Sequence, residues 1–443
     1  MSKKMTRKAF LGTAGLVAAT TLAACGGKGG KGGAGSSADE GGATVYWLNF
    51  KPEIDELLQK LAKKYSDEKG VSVKVKTAAA GTYEQSLTAD MDKADKAPTL
   101  FVIGNAAGVK SWGEYAVDLK GTAIQKEEID DTYDLFDETG KMVSQGYCYE
   151  CYGIIVNKDL VEKAGHSMDD ITNFDGLKKV VEDIHARKDE LGFDAFTACD
   201  MTDDSSWRFT GHMANLEYFY EEKKAGKKWE ECPKTITGEF LPNYKMLFDL
   251  CINNCTVDPK TLSTDTSYSN GQEFIDGKAA FDIQGSWQYA TYAEAQKNTT
   301  MIPYYCGVEG EEKAGLNCGT ENCWAINANS SEEQQKATQD FMVWLVSDAD
   351  ASAQLVEQLG IMPFQNAAKS TNAYLSDAAA AYTEKGNYIM DWATNYQPNV
   401  DDYRKALVSA MNAYCADQTD ANWEAVKTAF VDGWATQYAK ANA

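Results

Sequence analysis

The chain has 443 residues, with 66 Asp and Glu against 43 Lys and Arg, a formal net charge of −23, 44% apolar and 25% charged residues. That length allows two to three globular domains at roughly 150 residues each, and the acidic excess excludes a basic footprint for nucleic acid or anionic lipid. Aromatics are plentiful, with 23 Tyr, 16 Phe and 10 Trp, whereas the only histidines are His166, His185 and His212, little material for histidine-based metal or acid/base chemistry.

At the N-terminus Lys3, Lys4, Arg7 and Lys8 precede a run of apolar and small residues from Ala9 to Ala24 that ends at Cys25. The run is too short for a ~30 Å hydrocarbon core and has the charged-then-apolar order of a secretory signal. Leu22-Ala23-Ala24-Cys25 resembles the lipobox of bacterial lipoproteins, which implies a signal peptide over 1–24 and an acylated Cys25. Residues 26–43 contain nine Gly with Lys, Ser and Ala, a composition that cannot offset its ordering entropy and reads as a flexible tether.

The β-branched and aromatic run Thr44–Asn49 predicts a strand. Ile54, Leu57, Leu58, Leu61 and Tyr65 then fall at helical spacing behind Pro52, with Gly70 as the stop and Val71, Val73 and Val75 alternating as a second strand. Strand, helix, strand is a βαβ unit and favours a parallel sheet. Further strands are predicted over Thr99–Asn105, Tyr152–Asn157, Ala279–Trp287 and Cys323–Asn327. Helices are predicted around Leu177 to Ile184, around Phe341 to Leu345, and in two amphipathic stretches, Tyr403 to Tyr414 and Trp423 to Trp434.

Several blocks together resemble the extracellular solute-binding family 1, the sugar-binding lipoproteins of ABC importers whose best-known relatives bind maltodextrins. They are the lipobox, PTLFVIGN (98–105), ECYGIIVNKDL (150–160), GKAAFDIQGSW (277–287), the string from Gly319 to Ser330, and FMVWLVSDADASAQLVEQLGIMP (341–363). The resemblance implies an α/β, two-lobe periplasmic-binding-protein-like fold with a multi-strand hinge and an interlobe ligand cleft. It places the N-terminal lobe in 44–152 and 324–358 and the C-terminal lobe in 153–323 and 359–443, with crossings near Glu150–Ile154, Cys323–Ile326 and Leu359–Pro363. It also implies a monomer on the outer face of the cell membrane, anchored by lipid, that closes on a carbohydrate, foremost an oligosaccharide, and delivers it to ABC permease subunits.

Sugar recognition uses flat apolar faces and planar hydrogen-bonding groups. By resemblance, Trp287 after Gly285 is the position from which a ring stacks on sugar, and Glu150, seven residues before Asn157, is the acidic hinge residue that bonds hydroxyls. Lys51, with Phe50 and Glu53, lies in the loop that presents polar groups after the first strand. Asn105 ends its strand and faces the cleft, although this loop lacks the aromatic and acidic pair of the maltodextrin pattern. Trp207 with Arg208, Trp324 and Trp392 are each a sugar platform or a core residue, whereas Trp344, Trp423 and Trp434 sit on amphipathic faces as core.

Ten cysteines remain beyond Cys25, an even number that permits disulfides whose connectivity spacing does not give. Cys148-x2-Cys151 leads into a strand rather than opening a helix, which argues against a redox motif or half of a zinc site. With no GxSxG, P-loop, dinucleotide or HExxH fingerprint, the chain reads as a non-enzyme with no cofactor or metal. Two alternatives stand beside the sugar receptor: a same-fold receptor for a non-sugar such as a polyamine or peptide, and an extracellular glycoside hydrolase using Glu150 and a second carboxylate.

Overall fold

Val45–Asn49 (β1) is buried at all five positions, as a strand covered on both faces must be. It opens the described part of a computed structural model, which covers residues 45–79, 82–93, 96–198, 201–202, 205–264 and 271–443. The signal-like segment, Cys25, the Gly-rich stretch, Cys199 and the acidic residues Asp200, Asp203 and Asp204 lie outside these described residues.

The helix Asp55–Lys69 follows, burying Leu58, Leu61, Ala62 and Tyr65, with Asp55 and Glu56 in its first turn, Lys69 in its last and Gly70 as its cap. Val73–Thr77 (β2) then pairs parallel to β1. Leu100–Val102 (β3) is shorter than the sequence suggested, because Asn105 has left the strand to cap the helix Ala106–Trp112, its Oδ1 accepting from the Gly108 N–H at 2.8 Å. Leu135–Phe136 (β4) and Met142–Gly146 (β5) complete the early strands. The chain then enters a second sheet with Glu150–Asn157 (β6), Asp194–Phe196 (β7), Ala279–Gly285 (β8), Thr299–Ile302 (β9) and Ala314–Gly319 (β10). Cys323–Ile326 (β11) returns to the first sheet, and Tyr388–Asp391 (β12) closes the second.

The fold is therefore α/β with two lobes. The first sheet runs β2-β1-β3-β11-β5-β4 and the second β12-β10-β6-β8-β7, with β9 also paired to β6. Each lobe draws on separated chain segments, and the chain passes between the sheets at 147–149, at 320–322 and after Leu359. At the last passage Gly360 has φ 104, and a Cβ there would stand 2.6 Å from Leu375 Cδ1 and 2.8 Å from the Tyr149 carbonyl oxygen, so only glycine fits. Ile361 bridges Tyr149 beside it, binding the third crossing to the first.

Period-2 alternation decides which face each strand residue packs. Trp47 and Trp324 lie in one N-terminal core cluster, and their neighbours Leu48 and Ala325 lie in the cluster on the opposite face. In the C-terminal lobe Ile154 and Val156 join the large core with the helices Phe174–Ala186, Val400–Ala416 and Asp420–Ala441, while Cys151 and Ile155 face a smaller cluster. Trp344, Trp423 and Trp434 are buried as their helical spacing requires. Among the described residues no helix is long and apolar enough to cross a membrane.

Three carboxyls, Glu217 and Glu222 buried and Asp134 partly so, shape the acid–base behaviour of the fold. Burial, then the charge of Glu128, pushes Asp134 up to about 8; burial, then Glu221, pushes Glu217 up to about 9; burial pushes Glu222 up to about 7. Each is protonated in the folded protein over a range where the unfolded chain is ionised, so the folded state binds more protons and stability falls as pH rises. The melting temperature should accordingly decline steadily between about pH 5 and pH 9. A melting temperature that rises with pH over this range in calorimetry would contradict the assignment.

Candidate functional site

Where the lobes meet, two charges are buried together. Lys51, in the loop after β1, and Glu150, the first residue of β6, are 4% and 3% exposed. Lys51 Nζ donates to Glu150 Oε1 at 2.6 Å and lies 3.1 Å from Glu53 Oε1, while Asn322 Nδ2, from the second crossing, donates to Glu150 Oε2 at 2.7 Å. The Asn49 amide fixes the loop, its Nδ2 donating to the Lys51 carbonyl at 2.6 Å and its Oδ1 accepting from the Lys51 N–H at 3.1 Å. Burial opposes both charges; the Glu150 and then the Glu53 carboxylate overcome it and hold the Lys51 ammonium above its ordinary range.

The C-terminal lobe supplies a wall of rings against this pair. Tyr152, two residues beyond Glu150 on β6, stacks on His212 at 4.1 Å between centroids with the planes 4° apart. Trp392 lies 4.9 Å from Tyr152, and Trp287 lies 5.4 Å from His212 and 5.9 Å from Trp207. Lys51 Nζ sits 5.8 Å from the Trp287 ring centroid, so the N-terminal lobe reaches this wall. The Trp287 ring folds back over Gly285, where a Cβ would stand 2.1 Å from the ring, and its Nε1 donates to Gln284 Oε1 at 2.8 Å. Residues 208–213 form a π-helical segment, whose wider turn brings residues five apart onto one side, and Trp207 and His212 are 4.9 Å apart.

Fixed cations flank the wall. Arg208 stacks on Trp207 at 4.2 Å, and Arg404 Nε donates to Gln397 Oε1 at 2.7 Å with a guanidinium nitrogen 3.8 Å from Glu321 Oε1. Burial, then Arg404, Arg208 and Lys51, holds the His212 imidazole well below its ordinary pKa, so the ring is neutral at physiological pH. Around these rings, Tyr152 Oη, His212 Nδ1, Trp392 Nε1, Asn322 Oδ1 and Asn317 Nδ2 are buried polar atoms with no hydrogen-bond partner among the described residues. Leaving such atoms unpaired costs about 1–3 kcal/mol each, so the rim of the wall carries unmet hydrogen-bonding capacity.

Of the residues picked from the sequence, Lys51, Glu53, Glu150, Trp207, Arg208, Trp287 and Trp392 meet here. Three do not. Trp324 is 1% exposed and stacks on Tyr147 at 4.4 Å with Trp47 at 5.9 Å, inside the N-terminal core, because alternation on β11 turns it away from the cleft. Asn105 spends its side-chain oxygen on the helix cap rather than facing the cleft with it. Phe50 packs edge-on against Tyr83 at 5.4 Å. Tyr152, His212, Asn322 and Arg404 escaped sequence reasoning; the i, i+2 relation to Glu150 could have given Tyr152, whereas Arg404 arrives from a distant helix with no local signal.

The two-lobe α/β fold thus brings a polar and aromatic cluster together where the lobes meet. The profile of the family described as bacterial extracellular solute-binding proteins matches residues 60–381, and the chain belongs to that family. No curated protein sequence matches it. Among solved structures it is similar to the solute-binding protein RafE in complex with raffinose, with 15% identity over 89% of this chain and 99% of that one at a TM-score of 0.66. It is likewise similar to a chitin oligosaccharide binding protein, at 15% identity over 90% and 99% with a TM-score of 0.65. A third similar structure is an ABC transporter solute-binding protein from Agrobacterium radiobacter in complex with ribitol, at 18% identity over 89% and 98% with a TM-score of 0.64. At these identities the likeness establishes the fold.

Removing one partner of the buried pair tests its electrostatics. Lys51→Met should cost about 3–5 kcal/mol by urea unfolding at neutral pH, since it strands the Glu150 charge. The loss should shrink as pH falls and Glu150 takes up a proton, because a carboxyl with a raised folded pKa contributes stability at the low-pH side. Adding Glu150→Gln should recover part of the loss at neutral pH. By contrast Trp324→Ala should cost about 3–5 kcal/mol at every pH, as a core cavity does.

Proposed function

We propose that this chain is a non-catalytic extracytoplasmic receptor, anchored through an acylated Cys25, that closes its lobes on a carbohydrate, foremost an oligosaccharide, and passes it to ABC permease subunits. The observation that carries the reading is the coincidence of aromatic faces with unpaired polar atoms around Tyr152, His212, Trp287 and Trp392. A pyranose presents a CH-rich face to a ring and hydroxyls, each both donor and acceptor, to its rim, which is the complement such a surface asks for. Lys51, Glu53, Glu150 and Asn322 form the polar edge in this reading, and Trp207 with Arg208 and Trp392 complete the wall. The match to proteins solved with raffinose or ribitol is in keeping with a polyhydroxylated solute.

The polyamine alternative is disfavoured by charge. The carboxylates nearest the wall already hold cations of the chain, Glu150 and Glu53 on Lys51 and Glu321 beside Arg404, which leaves them poorly placed to bind a polycation. The same commitment argues against Glu150 as one half of a hydrolytic carboxylate pair.

Titration calorimetry against a panel of mono- and oligosaccharides, sugar alcohols, polyamines and peptides tests the assignment. A saturable response to a sugar class is expected; a response to polyamines or peptides alone would overturn it. With the sugar in hand, Trp287→Ala should weaken binding by about 1–3 kcal/mol, roughly 5- to 150-fold, without unfolding the protein. Unchanged affinity in a folded variant would remove Trp287 from the site.

A further inference from the structure

Two cysteines that the site does not use stand directly opposite each other. Cys151 on β6 is in antiparallel register with Cys318 on β10, one rung inside the Glu150–Gly319 pair at which both strands leave the sheet for the crossings. In an antiparallel strand the N–H and C=O of a residue point to the same side. The Cys151 N–H donates to Ser286 Oγ at 3.1 Å, on the β8 side and away from β10. Cys151 and Cys318 therefore form a non-hydrogen-bonded pair, the kind with Cα atoms about 4.5 Å apart and side chains closest together. A disulfide needs Cα atoms about 4.4–6.8 Å apart.

The side chains share a face. Cys151 is buried with Met301, Leu316 and Tyr374, and Cys318 packs against the same cluster. The Cys151 thiol lies 3.7 Å from the Tyr374 carbonyl oxygen and 3.8 Å from Met301 Sδ, and both cysteines are free in this structure. The neighbouring cysteines lack this register: Cys148 lies in the core of the other lobe, and Cys323 is paired with Gly146 rather than with a cysteine.

We propose that Cys151 and Cys318 are a disulfide site, closed by a small-molecule disulfide such as oxidised glutathione once the protein is outside the cytoplasm. Cys318, the more accessible of the two, loses its proton and attacks one sulfur of the oxidant, releasing one thiol. The Cys151 sulfur then loses its proton and displaces the second thiol from the mixed disulfide. Two cysteine S–H groups become one S–S bond, and the oxidant's S–S bond is reduced to two thiols. Burial pushes the Cys151 thiol well up, which suits it to resolve rather than initiate. Oxidising compartments preserve such bonds. Because both cysteines sit within the C-terminal sheet, the bond would fix Glu150 against Gly319 while leaving the crossings at 147–149 and 320–322 free to bend.

Peptide mapping of the full-length protein, equilibrated with oxidised glutathione, alkylated without reduction and digested, decides the matter without any ligand. The expected result is a peptide pair joined through Cys151 and Cys318, two hydrogens lighter than the free peptides. A melting temperature higher by roughly 2–6 °C, lost on reduction and absent in Cys318→Ala, should accompany it. Recovery of both residues as alkylated thiols, or linked to other cysteines or to glutathione, from protein that melts cooperatively would overturn the proposal.

Discussion

A lysine and a glutamate removed from water together cost several kcal/mol apiece unless every donor and lone pair is matched, and the join between the lobes is organised around meeting that demand. Lys51 comes from the loop after β1, Glu150 from the start of β6, and the Asn322 amide that completes Glu150 from the crossing between β10 and β11. One ion pair thus fixes three passes of the chain relative to one another. The Asn49 amide holds the Lys51 backbone in place, so the charge is aimed before its partner arrives. Displacing any of these groups would strand a charge, which makes this junction intolerant of partial solutions.

The aromatic wall depends on the same junction. Tyr152 follows Glu150 by two residues, so the register that delivers the carboxylate to Lys51 also delivers the phenol ring to His212. Lys51 in turn faces Trp287, and burial, then Arg404, Arg208 and Lys51, keeps His212 uncharged. A neutral imidazole stacked on a phenol presents an apolar face and a polar edge, whereas an imidazolium would present a charge. The wall's affinity for neutral polar solutes, as proposed, follows from that electrostatic arrangement and from the unpaired atoms at its rim.

Much of this was legible in the residues. The helix between Pro52 and Gly70, the buried run on β1 and the strands of the later blocks follow from spacing and propensity, and these elements hold their own boundaries. Lys51, Glu150 and Trp287 were legible because they sit beside such elements and match a known pattern. Trp324 was not, since a tryptophan on a strand end faces the cleft or the core according to a one-residue parity that composition does not reveal. Asn105 reads in the sequence as a strand end, and the Gly108 N–H makes it a helix cap instead. Arg404 lies on a C-terminal helix brought over the π-helical segment at Gly211, a contact between segments nearly two hundred positions apart, and nothing local encodes it.

The π-helical segment itself bears on how such a surface can change. Trp207 and His212 share a side because this stretch is wound with an extra residue per turn; in an α-helix, positions five apart point in diverging directions. Deleting a single residue within 208–213 would let the segment rewind as an ordinary helix and rotate one ring out of the wall while the helix beyond, Asn215–Ala225, kept its packing. A one-codon loss could then recontour the captured surface in a single evolutionary step, leaving the scaffold beneath it intact.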